Sequence, residues 1–127
     1  MAQAKEIYKC NICGNTVRVI NGGRGELVCC GEPMELLAEN STDAAVEKHV
    51  PVVEEVAGGY KVVVGSAPHP MIDEHFITWI ALKTDDDIVH EKFLSAGEKP
   101  EMVVKTSAKA VKAGEYCNIH GLWVKKV

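Results

Sequence analysis

Five cysteines in 127 residues, four of them within the first thirty, constrain this chain more than any other feature. Cys10, Cys13, Cys29 and Cys30 crowd one end, and Cys117 stands alone near the other. An odd number, behind a start (Met1-Ala2-Gln3-Ala4-Lys5-Glu6) that lacks the apolar core of an export signal, cannot make a complete disulfide framework. Metal or redox chemistry is therefore the expectation, and the cytoplasm the expected compartment. All five histidines, His49, His69, His75, His90 and His120, lie outside the first cluster. The chain thus holds a sulfur-only region and a second region of imidazoles with one thiol, which implies two sites of different chemistry.

The remaining composition excludes several classes. At 46% hydrophobic and 25% charged the chain is that of an ordinary globular protein. No apolar run approaches the roughly 18 residues of a membrane span, so no membrane partner is expected. With a net charge of −4 and scattered lysines there is no broad basic face for a phosphate backbone, and nucleic acid is not an expected partner either.

The cysteine distribution predicts two domains, 1–36 and 37–127, in an all-β chain. In the first, Glu6-Tyr8, Thr16-Ile20 and Glu26-Cys29 read as short strands, with Asn21-Gly22-Gly23 as a hairpin turn between the last two. So small a piece cannot bury an adequate apolar core and needs a metal, disulfides or a partner chain. From Met34 onward, valine-rich runs separated by turn residues predict seven strands in an all-β sandwich or barrel. The predicted strands are Glu35-Glu39, Val50-Val56, Tyr60-Gly65, His75-Leu82, Ile88-Leu94, Met102-Thr106 and Leu122-Lys126. Gly58-Gly59 is expected to turn a tight hairpin, Asp85-Asp86-Asp87 a solvated turn, and Ser41-Val46 a single capped helical turn.

Cys10-x2-Cys13 with the adjacent pair Cys29-Cys30 offers four thiolates, a set that favours a tetrahedral zinc or iron ion, or less often an iron–sulfur cluster. Count and spacing do not separate zinc from iron. In the second region, Cys117-Asn118-Ile119-His120 puts a thiol and an imidazole on one loop. Pro68-His69-Pro70 holds another imidazole on a stiff turn, His75 opens a buried run and His49 ends Glu47-Lys48-His49-Val50-Pro51. Each alone is more often structural, and His90 stays in that class because no chelating pair surrounds it. Together, four imidazoles and one thiolate exceed the four ligands of a structural zinc and suit iron or copper.

Jointly, Cys10-x2-Cys13 with Cys29-Cys30, Glu47-Lys48-His49-Val50-Pro51, Pro68-His69-Pro70-Met71, His75 and Cys117-Asn118-Ile119-His120 resemble desulfoferrodoxin, the two-iron superoxide reductase family, over essentially the whole chain. The resemblance implies a desulforedoxin-like Fe(Cys)4 domain followed by an immunoglobulin-like β-sandwich with an Fe(His)4Cys site. His49, His69, His75 and His120 would be the equatorial ligands and Cys117 the axial one. It also implies Glu47 as the sixth ligand in the ferric state, superoxide as substrate, a rubredoxin-like electron donor and a homodimer.

The residues suit that chemistry. A ferrous ion held by four neutral imidazoles and one thiolate keeps one positive charge, which attracts an anion, and Lys48 adds to the pull. Glu47 offers a hard carboxylate matched to ferric iron. Glu74, beside His75, weakens the local positive field. Two other functions are consistent with the same residues. One is a blue-copper electron-transfer module, which lacks its usual axial Met after His120 and would need Met71. The other is a zinc-stapled binding domain with incidental histidines.

Overall fold

The computed structural model describes residues 2–40, 49–65 and 70–127, among which there are twelve strands and no helix. The chain divides into two compact units, Met1–Ala38 and Glu39–Val127. Glu47, Lys48, His69 and the expected helical turn at 41–46 lie outside the described residues.

In the first unit, β1 (Ile7–Lys9) sits between β2 (Thr16–Arg18) and β5 (Glu35–Leu36), and β3 (Val28–Cys29) pairs with β4 (Glu32–Pro33). The β1–β2 connection closes through Cys10: its N–H donates to the Asn15 carbonyl at 2.8 Å and its own carbonyl accepts from the Gly14 N–H at 3.0 Å. The β3–β4 connection is the two-residue turn Cys30-Gly31, with φ of 53° and 76°. Positive φ at both central positions is the geometry that matches strand twist in a tight hairpin. The hairpin expected at Asn21-Gly22-Gly23 does not form, because β2 pairs with β1 and β3 with β4. Gly22 serves a close backbone approach instead; a Cβ there would stand 2.4 Å from the Ala2 carbonyl oxygen.

Among the described residues of this unit only Cys10 is buried, while Ile12, Val17, Ile20, Val28 and Leu36 are exposed. An apolar core is absent, and four sulfurs stand where it would be.

The second unit is a seven-stranded antiparallel sandwich. One sheet runs β10 (Glu101–Lys105), β7 (Gly59–Val64), β6 (Pro51–Val56); the other runs β12 (Gly121–Lys126), β11 (Ala110–Cys117), β8 (Ile77–Thr84), β9 (Val89–Phe93). This three-on-four arrangement is the sandwich alternative of the strand-pattern reading and the immunoglobulin-like class that the family resemblance implies. Alternate residues face inward: Val62 and Val64 from β7, Met102 and Val104 from β10, Ile80 and Leu82 from β8. Each fully buried aliphatic contributes roughly 1.5–3 kcal/mol relative to exposure.

The strand count agrees with expectation but its membership does not. Glu35-Glu39 shrinks to β5 and belongs to the first unit, where Lys9 pairs with Glu35. The seventh strand is β11, whose Lys112, Gly114 and Glu115 hid it from a valine-based reading. The β6–β7 turn also falls one residue earlier, at Ala57-Gly58.

One irregularity aims the functional residues. Cys117 pairs with Ile77 but Tyr116 pairs with Trp79, so Thr78 is an extra residue in β8. Strict alternation from Leu82 and Ile80 would turn Thr78 inward; the bulge puts Ile77 there instead, beside Cys117 in the core.

Gly59 is where this frame is least tolerant, because a Cβ would lie 1.8 Å from the Val104 carbonyl oxygen, on the partner strand. Gly59→Ala should therefore cost about 1–3 kcal/mol, the range of overpacking changes. Urea unfolding of the second unit checks it, and a midpoint equal to the wild type would show that β7 and β10 are not this close.

Candidate metal centres

Two side-chain clusters converge, and each gathers donors from distant parts of its unit. The first comprises Cys10, Cys13, Cys29 and Cys30, with all four sulfurs within 4.8 Å of one another. The two turns described above deliver them. Cys10 and Cys13 flank one tight turn, while Cys29 ends β3 and Cys30 opens the other turn, so both chelating pairs sit at hairpin tips.

Backbone N–H groups point at these sulfurs. The Cys13 N–H meets Cys10 Sγ at 3.5 Å and the Asn15 N–H meets Cys13 Sγ at 3.5 Å. The N–H groups of Cys13 and Ile12 hold the Cys10 thiol at about 6, well below its ordinary value. Its neighbours Cys13 and Cys10 push Cys30 up to about 12, and the same two sulfurs raise Cys29. The physical cause is that one thiolate can form where the amides stabilise it, and neighbouring thiols that hydrogen-bond to these sulfurs then keep their protons. No pair is bridged as a disulfide. A soft cation removes the conflict by drawing all four sulfurs to one centre, so the donor set fits a tetrahedral metal.

The second cluster comprises His49, His75, Cys117 and His120, again within 4.8 Å of one another. His49 Nε2 and His75 Nε2 approach His120 Nδ1 at 3.1 and 3.2 Å, and Cys117 Sγ lies 3.7 Å from the same nitrogen. Cys117 is fully buried, His49 and His75 are half-buried and His120 is exposed. The cluster therefore has a dry sulfur floor and a wet nitrogen rim. Burial raises the Cys117 thiol above its ordinary value, against the lowering effect of the His120 and Ile119 N–H groups. Three ring nitrogens and a sulfur aimed at one point suit a borderline transition metal.

The surrounding elements explain the aim. Cys117 ends β11 on its core face, and a two-way backbone bridge holds His75 to Ile72, at 3.0 and 3.1 Å. The Trp123 ring stacks on His49 with centroids 4.8 Å apart and planes at 18°, while its indole N–H donates to the His120 carbonyl at 3.1 Å.

Of the residues singled out in the sequence, these eight are brought together in two groups, whereas His69, Glu47 and Lys48 lie outside the described residues. His90 joins neither group; its Nε2 lies 3.2 Å from the buried Thr84 hydroxyl, a structural role. Met71, the donor a copper site would need, packs against the sandwich core and its sulfur accepts the Ile77 N–H at 3.4 Å. Trp123 and Asn118 were not anticipated as supports, although their positions beside His120 and Cys117 were the available signal.

Comparison with known proteins agrees with this division. A family model described as Desulfoferrodoxin matches residues 41–126, and one described as Desulfoferrodoxin, N-terminal domain, matches residues 2–37. A desulfoferrodoxin of Desulfarculus baarsii is 54% identical over 97% of this chain and 97% of its own length. A desulforedoxin of Megalodesulfovibrio gigas is 53% identical over 34 residues, 27% of this chain and 92% of that protein. The crystal structure of the superoxide reductase from Treponema pallidum superposes with a TM-score of 0.78 at 28% identity, covering 98% of this chain and 100% of that one.

Because Cys29 and Cys30 hold their protons above the ordinary thiol range, loading the metal-free four-cysteine site at pH 7 should release at least two protons per ion. Zinc titration calorimetry in buffers of different ionisation enthalpy measures the number. The sign fixes the pH dependence: thiols must lose protons to bind, so the metal is held at neutral pH and lost on acidification. A zinc affinity independent of pH between 5 and 8 would contradict this account.

Proposed function

The chain belongs to the desulfoferrodoxin family, and from that premise we propose that it is a superoxide reductase, an oxidoreductase that combines superoxide with one electron and two protons to give hydrogen peroxide and no oxygen. The observation that carries this reading is the convergence of His49, His75 and His120 on the buried Cys117 sulfur. The likeness to the Treponema pallidum superoxide reductase supports it.

Cys10, Cys13, Cys29 and Cys30 would hold one iron ion, and His49, His69, His75, His120 and Cys117 a second, which when bound supplies the single electron. The division of labour is then 1–36 as the Fe(Cys)4 domain and 37–127 as the reductase domain. His69 enters through its Pro68-His69-Pro70 turn in the sequence.

What the chain's own residues contribute follows from charge and burial. A divalent ion held by neutral imidazoles and a single thiolate would keep a net charge of about +1, so a small anion would be drawn to it in a protein of net charge −4. Cys117 places its negative charge in the dry floor, where it is least screened. His120 lies at the exposed rim, which keeps the substrate side open to water as the proton source. Lys48 would add positive charge that attracts the anion, and Glu47 would offer a hard carboxylate to the ferric ion. Both stand beside His49 in the sequence, which is the support for these roles.

The four-cysteine centre holds the small domain together first and relays electrons second. A rubredoxin-like protein is the proposed electron donor and a homodimer the proposed assembly. Among the described residues no helix is long and apolar enough to cross a membrane. The five unpaired thiols support a cytoplasmic location.

Protein purified with iron supplied should contain two irons per chain, and a superoxide pulse on the anaerobically reduced protein should yield hydrogen peroxide without oxygen. Oxygen evolution, or colourless zinc protein that leaves superoxide untouched, would overturn the proposal. Lys48→Ala should lower the second-order rate about tenfold at low salt and flatten its ionic-strength dependence. An unchanged low-salt rate would remove Lys48 from the mechanism. Glu47→Ala should leave that rate nearly normal and alter the ferric absorption spectrum, and an unaltered spectrum would sink its ligand role.

A further inference from the structure

The segment around His75 is bonded from both sides by one side chain. Asn118 Oδ1 accepts the Phe76 N–H at 3.0 Å, and Asn118 Nδ2 donates to the Glu74 carbonyl at 3.2 Å. Its backbone N–H also donates to the Phe76 carbonyl at 3.2 Å. Glu74 and Phe76 are the two neighbours of His75, so a single amide brackets the peptide units that carry that imidazole. Asn118 is itself the residue after Cys117 and two before His120.

Regular pairing of β11 with β8 ends at Cys117 and Ile77, at the Thr78 bulge. Beyond that point regular strand pairing gives way to single ties, the first of them the bond from the Asn118 N–H to the Phe76 carbonyl. The Asn118 amide supplies a donor and an acceptor in the orientation of a peptide group and so extends the ladder by one step. Neither Asp nor Ser can replace it, because a carboxylate only accepts and a hydroxyl's donor and acceptor share one oxygen on a shorter stem.

We propose that Asn118 is a positioning residue: its side-chain amide clamps the Glu74–Phe76 backbone and thereby sets the distance of His75 from Cys117 and His120. This rests on the His/Cys cluster being a metal site, as argued above, but not on its reacting with superoxide. Its role differs from fold stabilisation in a measurable way. A clamp fixes one ligand against two others, so its loss acts on metal affinity and ligand field; a purely structural residue acts on unfolding alone. Loss of an outer hydrogen bond to a metal ligand's support typically weakens affinity 10–100-fold.

The test uses the full-length chain, stripped of metal and titrated with zinc against a chromophoric chelator, which resolves the two sites. Asn118→Ala should weaken zinc at the His/Cys site at least tenfold and leave the four-cysteine affinity unchanged. In iron-loaded protein the same variant should shift the thiolate-to-ferric absorption. Asn118→Asp, which keeps the acceptor for Phe76 but loses the donor to Glu74, should fall between. Ile80→Ala, a fully buried change in the same sheet, serves as the stability control; it should lower the unfolding midpoint with both affinities intact. If Asn118→Ala behaves as Ile80→Ala does, the clamp is refuted. A wild-type chain that takes zinc only at the four cysteines overturns the clamp together with the site. Tenfold weaker zinc in a chain that does not reduce superoxide upholds the clamp and sinks the reductase.

Discussion

The pairing of β8 with β11 is the interaction on which the rest depends. It is the centre of the four-stranded sheet, it buries Ile77, Ile80, Leu82, Ala113 and Cys117 along one face, and it ends at the bulge that turns Ile77 inward. The cost of bringing residues 77–84 against 110–117 is set by the apolar sandwich, not by any metal. A ligand set assembled on that pairing is therefore rigid before an ion arrives, which is what a site with several borderline nitrogen donors requires.

The two units solve the same ordering problem in opposite ways. The second unit has a full complement of buried aliphatics and carries its cluster at one end of the completed core. The first has one buried residue, Cys10, and leaves five large aliphatics exposed among its described residues. Its strands are two or three residues long, below the length at which sheet hydrogen bonds sustain themselves. There a metal held by the four sulfurs would stand in for the core, so metal binding and folding would be one event in the first unit and separate events in the second. Cys30 illustrates the difference, since a non-glycine residue at φ 53° costs free energy that a bond to a metal would offset.

Ligand chemistry was more legible in the sequence than strand order. Cysteine and histidine are rare, and their positions at turns and strand ends survive any error about which strands pair; Cys10-x2-Cys13, Cys29-Cys30 and Cys117-Asn118-Ile119-His120 each form one local unit. Strand β11 was hidden because Lys112, Gly114 and Glu115 break the valine pattern, although Glu115 is fully buried. Asn21-Gly22 read as a turn from its residue types, whereas tertiary contact with Ala2 used Gly22 for another purpose. The bulge at Thr78 had no sequence mark, because an extra residue in a continuous apolar run looks like any other.

The same distinction explains why the donors of the second cluster come from three places of unequal freedom. Cys117 and His120 share a loop closed by Gly121 at φ 88°, a conformation that suits glycine, so their separation is settled locally. His75 is anchored by its bridge to Ile72 and by the amide of Asn118, so its approach is settled by the sheet and one side chain. His49 precedes the first residues of β6, and the Trp123 ring fixes its plane by stacking while the indole N–H holds the His120 peptide. One aromatic residue thus orients two imidazoles and one amide places the third, leaving the sulfur to the core. A cation entering such a site meets described donors already turned toward one another, and it must displace the proton that burial favours on Cys117.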